Sequence, residues 1–151
     1  MQRINVDVQT VPSRDPQPAV LRNPYRVDMG TMGLILNVES LPEILLDKLI
    51  APALRSGRIK NRDLWDIAWL DQQAVAFASD LLDEKLADRG WTRAEFRTRY
   101  QDRCVALPDA PDAFLFEMRR FLPQETVEPT LADPRYWTYL VRIVRSFAER
   151  I

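Results

Sequence analysis

The stretch that decides the fold is "VESLPEILLDKLIAPALRSGRIKNRDLWDIAWL", residues 38–70. After Ser40 the apolar residues take up helical spacing. Ser40 and Glu43 have the spacing of a capping box, in which each side chain bonds the other residue's backbone N–H at the start of a helix. The pattern predicts a helix from Leu41 to about Arg55, bent or ended near Pro52. A second helix is predicted over residues 62–71.

The turn between these two helices is strongly basic, although the whole chain has a net charge of −1. Four cations fall within eight positions, with no acid between them: Arg55, Arg58, Lys60 and Arg62. Next to a helix N-terminus, where backbone N–H groups are free, this cluster predicts a weak, salt-dependent anion site. The alternative is a solvated loop whose cations point apart.

Lys48 projects from an apolar stripe, because its helical neighbours one turn away on either side are all apolar. It could snorkel, with a buried stem and a solvated head, or its ammonium could contact phosphate or carboxylate. Asp63 and Asp66 lie one turn apart on the next helix. They could form ordinary helix-end and surface interactions, the second with Arg62. An unpaired ammonium on this stripe would be costly, so we predict that Lys48 lies near Asp63 or Asp66.

Working outward, Ile4–Val8 alternates apolar and polar residues, which predicts a half-buried strand. Residues 12–24 hold four prolines and are predicted to be a loop, and residues 34–38 a second strand. Two strands are too few for a stable sheet. Either residues 11–33 complete the sheet, or it is the remnant of a larger sheet, or a partner completes it. Asp7 lies mid-strand, where Asp is disfavoured. It is either a Mg²⁺ ligand or a residue on a wet strand face.

The remainder of the chain is predicted to be helical. Helices are expected over residues 72–88, closed by Gly90, and then from a Thr92–Glu95 capping box to about Arg103. Two more are predicted over residues 111–122 and 134–150. The arginines of these helices form either a solvated face or a tRNA-binding surface: Arg93, Arg97, Arg99, Arg103, Arg119 and Arg120. Two units are predicted, residues 1–75 and 76–151.

Composition excludes several classes of chemistry. The chain contains no histidine, which rules out Ser–His and Cys–His dyads and His-ligated zinc. Cys104 is its single cysteine, so no intrachain disulfide can form and a structural thiol is expected. No apolar run is long enough to span a membrane, and we expect a cytoplasmic protein. Trp65 and Trp69 share one helix face and are expected in the core.

Residues 38–70 resemble the latter half of the AbiEii/AbiGii-type toxin nucleotidyltransferases, bacterial toxins in the DNA-polymerase-beta-like superfamily. That family has a lysine-bearing helix, then a basic turn, then an "RDxxD" helix start, matched here by Lys48, Arg62, Asp63 and Asp66. Asp7 fits the family's upstream strand. The resemblance implies an α+β fold, the C-terminal half of such a nucleotidyltransferase followed by a helical lobe.

The resemblance also implies an activity: transfer of a nucleotide from an NTP to a tRNA-like RNA acceptor, with Mg²⁺ as cofactor and an antitoxin as partner. Asp7, Lys48, Asp63 and Asp66 would be catalytic, with Asp7 as metal ligand. Arg55, Arg58, Lys60 and Arg62 would bind substrate. The superfamily's Gly-Ser and D-x-D motifs are absent from this sequence, so a truncated frame, a degenerate toxin or part of a split enzyme, inactive alone, is expected. The alternative is a non-enzymatic helical module that binds an antitoxin or nucleic acid.

Overall fold

A computed structural model describes residues 11–22, 30–31, 33–107 and 109–151. The α+β fold is confirmed: a two-stranded ribbon precedes a helical body. The strands are β1 (Pro16–Val20) and β2 (Ile35–Glu39). The helices are α1 (Leu41–Leu54), α2 (Asn61–Gln72), α3 (Ser79–Ala87), α4 (Arg93–Val105), α5 (Pro111–Met118), α6 (Gln124–Thr126) and α7 (Pro134–Arg150), with a π-helical turn over Val127–Leu131 between the last two. The predicted strand Ile4–Val8 lies outside the described residues.

The ribbon corrects the prediction of a loop over residues 12–24. Pro16 pairs with Glu39 and Val20 with Ile35 in an antiparallel register. Backbone hydrogen bonds are formed by the odd-numbered residues on either side of β1. The Ser40 N–H donates to the Asp15 carbonyl, and the Leu21 N–H donates to the Leu34 carbonyl. The nitrogens of the even-numbered prolines therefore point away from β2, the one arrangement in which a strand tolerates proline. Residues 11–33 therefore contribute a strand, which pairs with β2. Whether a larger sheet or a partner adds further strands stays a prediction.

α1 begins as predicted, but its cap is only half of a capping box. The Ser40 hydroxyl accepts from the Glu43 backbone N–H at 3.3 Å. The Ser40 N–H is already bonded to the Asp15 carbonyl at 3.2 Å, so the Glu43 carboxylate does not reach back to it. That carboxylate is buried and faces other partners. The full capping box predicted at Thr92 and Glu95 is confirmed.

The prediction of a helix over residues 72–88 was wrong in its first part, because α2 ends at Gln72 and α3 begins at Ser79. The Val75 N–H bonds the Leu70 carbonyl and the Ala74 N–H bonds the Asp71 carbonyl. This is the Schellman pattern that closes a helix, with Ala74 at φ +53° in the left-handed position usually held by glycine. Gly90, at φ +70°, follows α3 as predicted. α5 likewise ends at Met118, earlier than the predicted residue 122.

The core lies between four helices, because α1 packs against α2 and α4, and α7 packs against α2 and α4. Its fully buried members include apolar residues from all four: Leu45, Leu49, Ile67, Phe96, Tyr100, Leu140 and Phe147. The Tyr100 hydroxyl donates to the Val144 carbonyl at 2.8 Å, so its polar end is satisfied inside the core. These contacts cross the predicted boundary at residue 75, and the division into two units stays a prediction.

The described helices include none that is long and apolar enough to cross a membrane. A cytoplasmic location stays a prediction.

Candidate functional site

A cleft of about 810 Å³ opens between α1, the basic turn and the start of α2 on one side and α3 on the other. Val11 and Pro12 also line it. Its wall carries six cations and three carboxylates: Lys48, Arg55, Lys60, Arg62, Lys85 and Arg89, with Glu39, Asp47 and Asp63. The cleft therefore has a cationic excess that the net charge of the chain does not reveal.

Lys48 is braced by the two aspartates of α2, which confirms the predicted proximity. Its Nζ lies 2.5 Å from Asp66 Oδ2 and 3.7 Å from Asp63 Oδ1. Asp63 is buried, and its other oxygen accepts from Arg55 at 2.7 Å. The predicted surface pair between Arg62 and Asp66 does not form, since Asp66 turns to Lys48 instead. The brace fixes an ammonium whose side chain is still 31% exposed.

Lys60 and Arg62 differ from Lys48 and Arg55 in that neither has an ion-pair partner among the described residues. Lys60 is half-buried and Arg62 is exposed. Both line the cleft, whereas Arg58 lines a separate pocket with Asn61 and Arg103. Three of the four predicted cations are therefore brought together, and two of them carry uncompensated charge beside the N-terminus of α2.

The basic turn is held in place by α4, a feature that sequence reasoning missed. Arg103 donates to the carbonyls of Pro52 at 3.0 Å and Arg55 at 2.9 Å, and also to the Gly57 carbonyl. Arg99 donates to the Ala53 carbonyl at 3.3 Å. These guanidinium groups satisfy the free carbonyls at the end of α1. Arg99 and Arg103 thus hold the turn in place, although Arg99 is also exposed to solvent.

The opposite wall rests on a buried ion pair that the sequence did not reveal. Glu43 and Lys85 are both almost fully buried, with Lys85 Nζ 2.7 Å from Glu43 Oε1 and 3.0 Å from Asp47 Oδ2. The Glu43 carboxylate also accepts from the Ser13 hydroxyl at 2.7 Å and the backbone N–H groups of residues 14 and 15 at 2.8 and 2.9 Å. Glu43 therefore ties the segment that enters β1 to α1 and α3.

The environment of Glu43 keeps it ionised. Burial alone would raise its pKa, but the hydrogen bonds from Lys85, Ser13 and the two backbone N–H groups outweigh that effect and lower the pKa to about 2. The Glu43 carboxylate is thus charged at neutral pH inside the wall of the cleft.

The described residues do not fit a divalent metal. They contain no group of three or more side chains that could hold one. Among the cleft carboxylates, Asp63 is paired with Arg55 and Lys48. Asp47 is paired with Lys85 and Arg89, and Glu39 lies 4.0 Å from Lys85. Asp7, the predicted metal ligand, lies outside the described residues, and its role stays a prediction.

Two further expectations concern single side chains. Trp69 was expected in the core but is 39% exposed, while Trp65 is half-buried and packs against the core. Cys104 is buried, and burial raises the pKa of its thiol to about 11. Such a thiol is a poor nucleophile, which fits the structural role expected for it.

The α+β fold and the cationic cleft define a candidate phosphate-binding domain. Comparison with protein families identifies the family of the chain. The model of the nucleotidyl transferase AbiEii toxin family, of type IV toxin–antitoxin systems, matches residues 1–142. The match covers most of the chain, and the chain belongs to this family. No curated protein and no solved structure matches the chain.

Proposed function

We propose that the cleft binds the phosphates of an NTP during transfer of its nucleotide to an RNA acceptor. Membership of the AbiEii nucleotidyltransferase toxin family supports the reaction class. The observation that carries the assignment to this cleft is the pair of uncompensated cations, Lys60 and Arg62, beside the braced Lys48. An NTP is a polyanion, and these are the described cleft cations free to contact it.

In this reaction an acceptor hydroxyl oxygen forms a bond to the α-phosphorus, and the bond to the pyrophosphate leaving group breaks. Negative charge accumulates on the leaving pyrophosphate. Lys60 and Arg62 are proposed to contact it, and Lys48, held by Asp63 and Asp66, adds a fixed positive charge. Asp63 is paired with Arg55 and Lys48 and so does not compete for the other cations. The remaining cleft carboxylates, Glu39 and Asp47, lie beside Lys85 rather than beside Lys60 and Arg62.

Asp63 and Asp66 are proposed as positioning residues. Each carboxylate contacts the Lys48 ammonium rather than open solvent. The Lys48 ammonium is carried on a flexible four-carbon side chain, so its position at the cleft depends on these contacts. Arg58 lines another pocket and is the one predicted substrate-binding cation that does not line the cleft.

Binding of ATP to the purified chain tests this proposal, with adenosine as the matched control ligand. Calorimetric titration at low salt should detect ATP and not adenosine, because the cleft offers charge for phosphates. The Lys60→Gln/Arg62→Gln variant should lose most of the affinity. Equal binding of ATP and adenosine, or unchanged ATP affinity in the variant, would reject the phosphate role of the cleft.

Asp7 is the one candidate metal carboxylate, and a single carboxylate cannot hold two metals against a triphosphate. We therefore also expect no transfer activity from this chain alone. Incubation with labelled NTPs and total tRNA should leave the RNA unlabelled. Labelled RNA that disappears in an Asp7→Ala control would show that the chain carries the whole reaction.

The second candidate is a non-enzymatic interaction module that binds an antitoxin or nucleic acid. The observation that favours it is the apolar surface of the ribbon, where Ile35 is 63% and Val20 57% exposed. Exposed apolar patches of this kind often mark protein contacts. This candidate predicts no ATP binding in the titration above, so the same experiment separates the two functions.

A further inference from the structure

One face of α2 runs from the rim of the cleft out over the surface. Arg62, Trp65, Asp66 and Trp69 occupy positions i, i+3, i+4 and i+7, which share one side of a helix. Arg62 lines the cleft and Asp66 contacts Lys48. At 1.5 Å per residue, Trp69 lies about 10 Å further along the helix axis than Arg62. The strip therefore starts at the proposed phosphate site and leads away from it.

The two tryptophans of this strip are paired. Their ring centroids are 6.3 Å apart and the ring planes differ by 17°, a stacked arrangement. Trp65 is half-buried and packs against the core, whereas Trp69 is 39% exposed. The inner ring thus anchors the outer one, and the outer ring is presented to solvent in a defined orientation at low entropic cost.

The residues around Trp69 indicate what it contacts. The exposed residues of α2 and its C-cap are Arg62, Trp69, Gln72 and Gln73, a cation, an aromatic ring and two amides, with no aliphatic side chain. The acid on the strip, Asp66, is neutralised by Lys48. A protein-binding patch would be expected to surround its tryptophan with apolar residues. An aromatic ring with a cation and amides matches single-stranded nucleic acid, which stacks its bases on aromatic rings.

We propose that Trp69, backed by Trp65, stacks on a base of a single-stranded RNA acceptor whose end reaches the cleft past Arg62. The span of about 10 Å corresponds to roughly three stacked nucleotides at 3.4 Å each. The identification of this RNA as the acceptor rests on the proposed function. The stacking contact itself does not require nucleotidyl transfer.

The test measures binding of a fluorescein-labelled single-stranded RNA dodecamer by anisotropy at low salt. Trp69→Ala should weaken binding at least about fivefold, the lower end of what stacking on one base contributes. Trp69→Phe should retain most of the affinity. Trp69→Leu should bind as weakly as the alanine variant, because it restores apolar cover without a ring. Phe121→Ala, which removes an aromatic that is 54% exposed outside the strip, is the matched control and should bind like wild type.

Salt separates stacking from charge. Raising the salt concentration should weaken RNA binding overall but leave the ratio between wild type and Trp69→Ala unchanged, whereas Arg62→Gln should reduce the salt dependence itself. Equal affinity of wild type and Trp69→Ala, no RNA binding, or full rescue by leucine would overturn the inference. A Trp69 effect on RNA without ATP binding would instead contradict the proposed function and leave the stacking contact standing.

Discussion

Replacement of Glu43 by glutamine should destabilise the protein by about 3 kcal/mol. Four donors converge on this buried carboxylate: Lys85 Nζ and the Arg14 N–H on Oε1, and the Ser13 hydroxyl and the Asp15 N–H on Oε2. An amide has one acceptor oxygen, so two of the donors would face an NH₂ group. The lysine would also lose the nearest of its counter-charges while it remains buried.

Two routes give the magnitude. The pKa of Glu43 is lowered from 4.5 to about 2. At 1.36 kcal/mol per pKa unit, this shift corresponds to roughly 3 kcal/mol. Removal of one partner from a buried ion pair typically costs about 3–5 kcal/mol. The two values agree, and the loss would be a large part of the roughly 5–15 kcal/mol by which domains are stable.

Urea unfolding followed by circular dichroism at pH 7 measures this change. Glu95→Gln is the matched control, because Glu95 is an exposed carboxylate that accepts from the Thr92 hydroxyl and N–H, and its replacement should have a much smaller effect than that of Glu43. A Glu43→Gln variant within 1 kcal/mol of wild type would refute the assignment of Glu43 as the anchor of the cleft wall.

The same pair of proteins gives a pH test. The pKa of Glu43 in the folded state lies below its unfolded value of about 4.3, so the unfolded state binds more protons between these values. The stabilisation is therefore present above about pH 4.5 and is lost as the pH falls toward 2. The stability difference between wild type and Glu43→Gln should shrink over that window. A difference that does not change with pH would contradict the assignment.

Three further predictions concern other parts of the structure. Arg103→Met should destabilise the protein by about 1–3 kcal/mol in urea unfolding, because charged hydrogen bonds to carbonyls at the end of α1 are lost; an unchanged midpoint would contradict this. Cys104 should react slowly with iodoacetamide at pH 8 in the folded protein and quickly in urea, because its thiol is buried and its pKa is about 11; equal rates would refute burial. Lys48→Met should weaken ATP binding in calorimetry while the helical circular dichroism spectrum is kept, and unchanged affinity would remove Lys48 from the phosphate site.

The parts of the fold that the sequence predicted are governed by local interactions. α1, α2, α4 and α7 were predicted within about two residues, because helical spacing and caps such as Thr92–Glu95 act within one turn. The proximity of Lys48 to Asp63 and Asp66 was also predictable. An ammonium on an apolar stripe needs a partner, and the adjacent helix supplies one.

The features that were not predicted depend on contacts between residues that are far apart in the sequence, or on a residue type that is rare at its structural position. Lys85 meets Glu43 across 42 positions, and no local pattern marks either of them as buried. Arg103 bonds the turn across 48 positions. Ala74 ends α2 in a conformation normally signalled by glycine, so the gap before α3 was missed. The exposure of Trp69 depends on how the neighbouring helices pack against α2. The spacing of Trp65 and Trp69 along the sequence does not determine that packing.

The central claim, that this cleft binds the phosphates of an NTP, is tested most directly by pyrophosphate titration of ¹⁵N-labelled protein. The account predicts chemical-shift changes clustered at residues 48–66. They should be abolished by roughly 0.5 M salt, because exposed charges are screened, and lost in a Lys60→Glu/Arg62→Glu variant. Shifts spread over the arginines of α4 and α7, shifts that persist in the variant, or no shifts would contradict it.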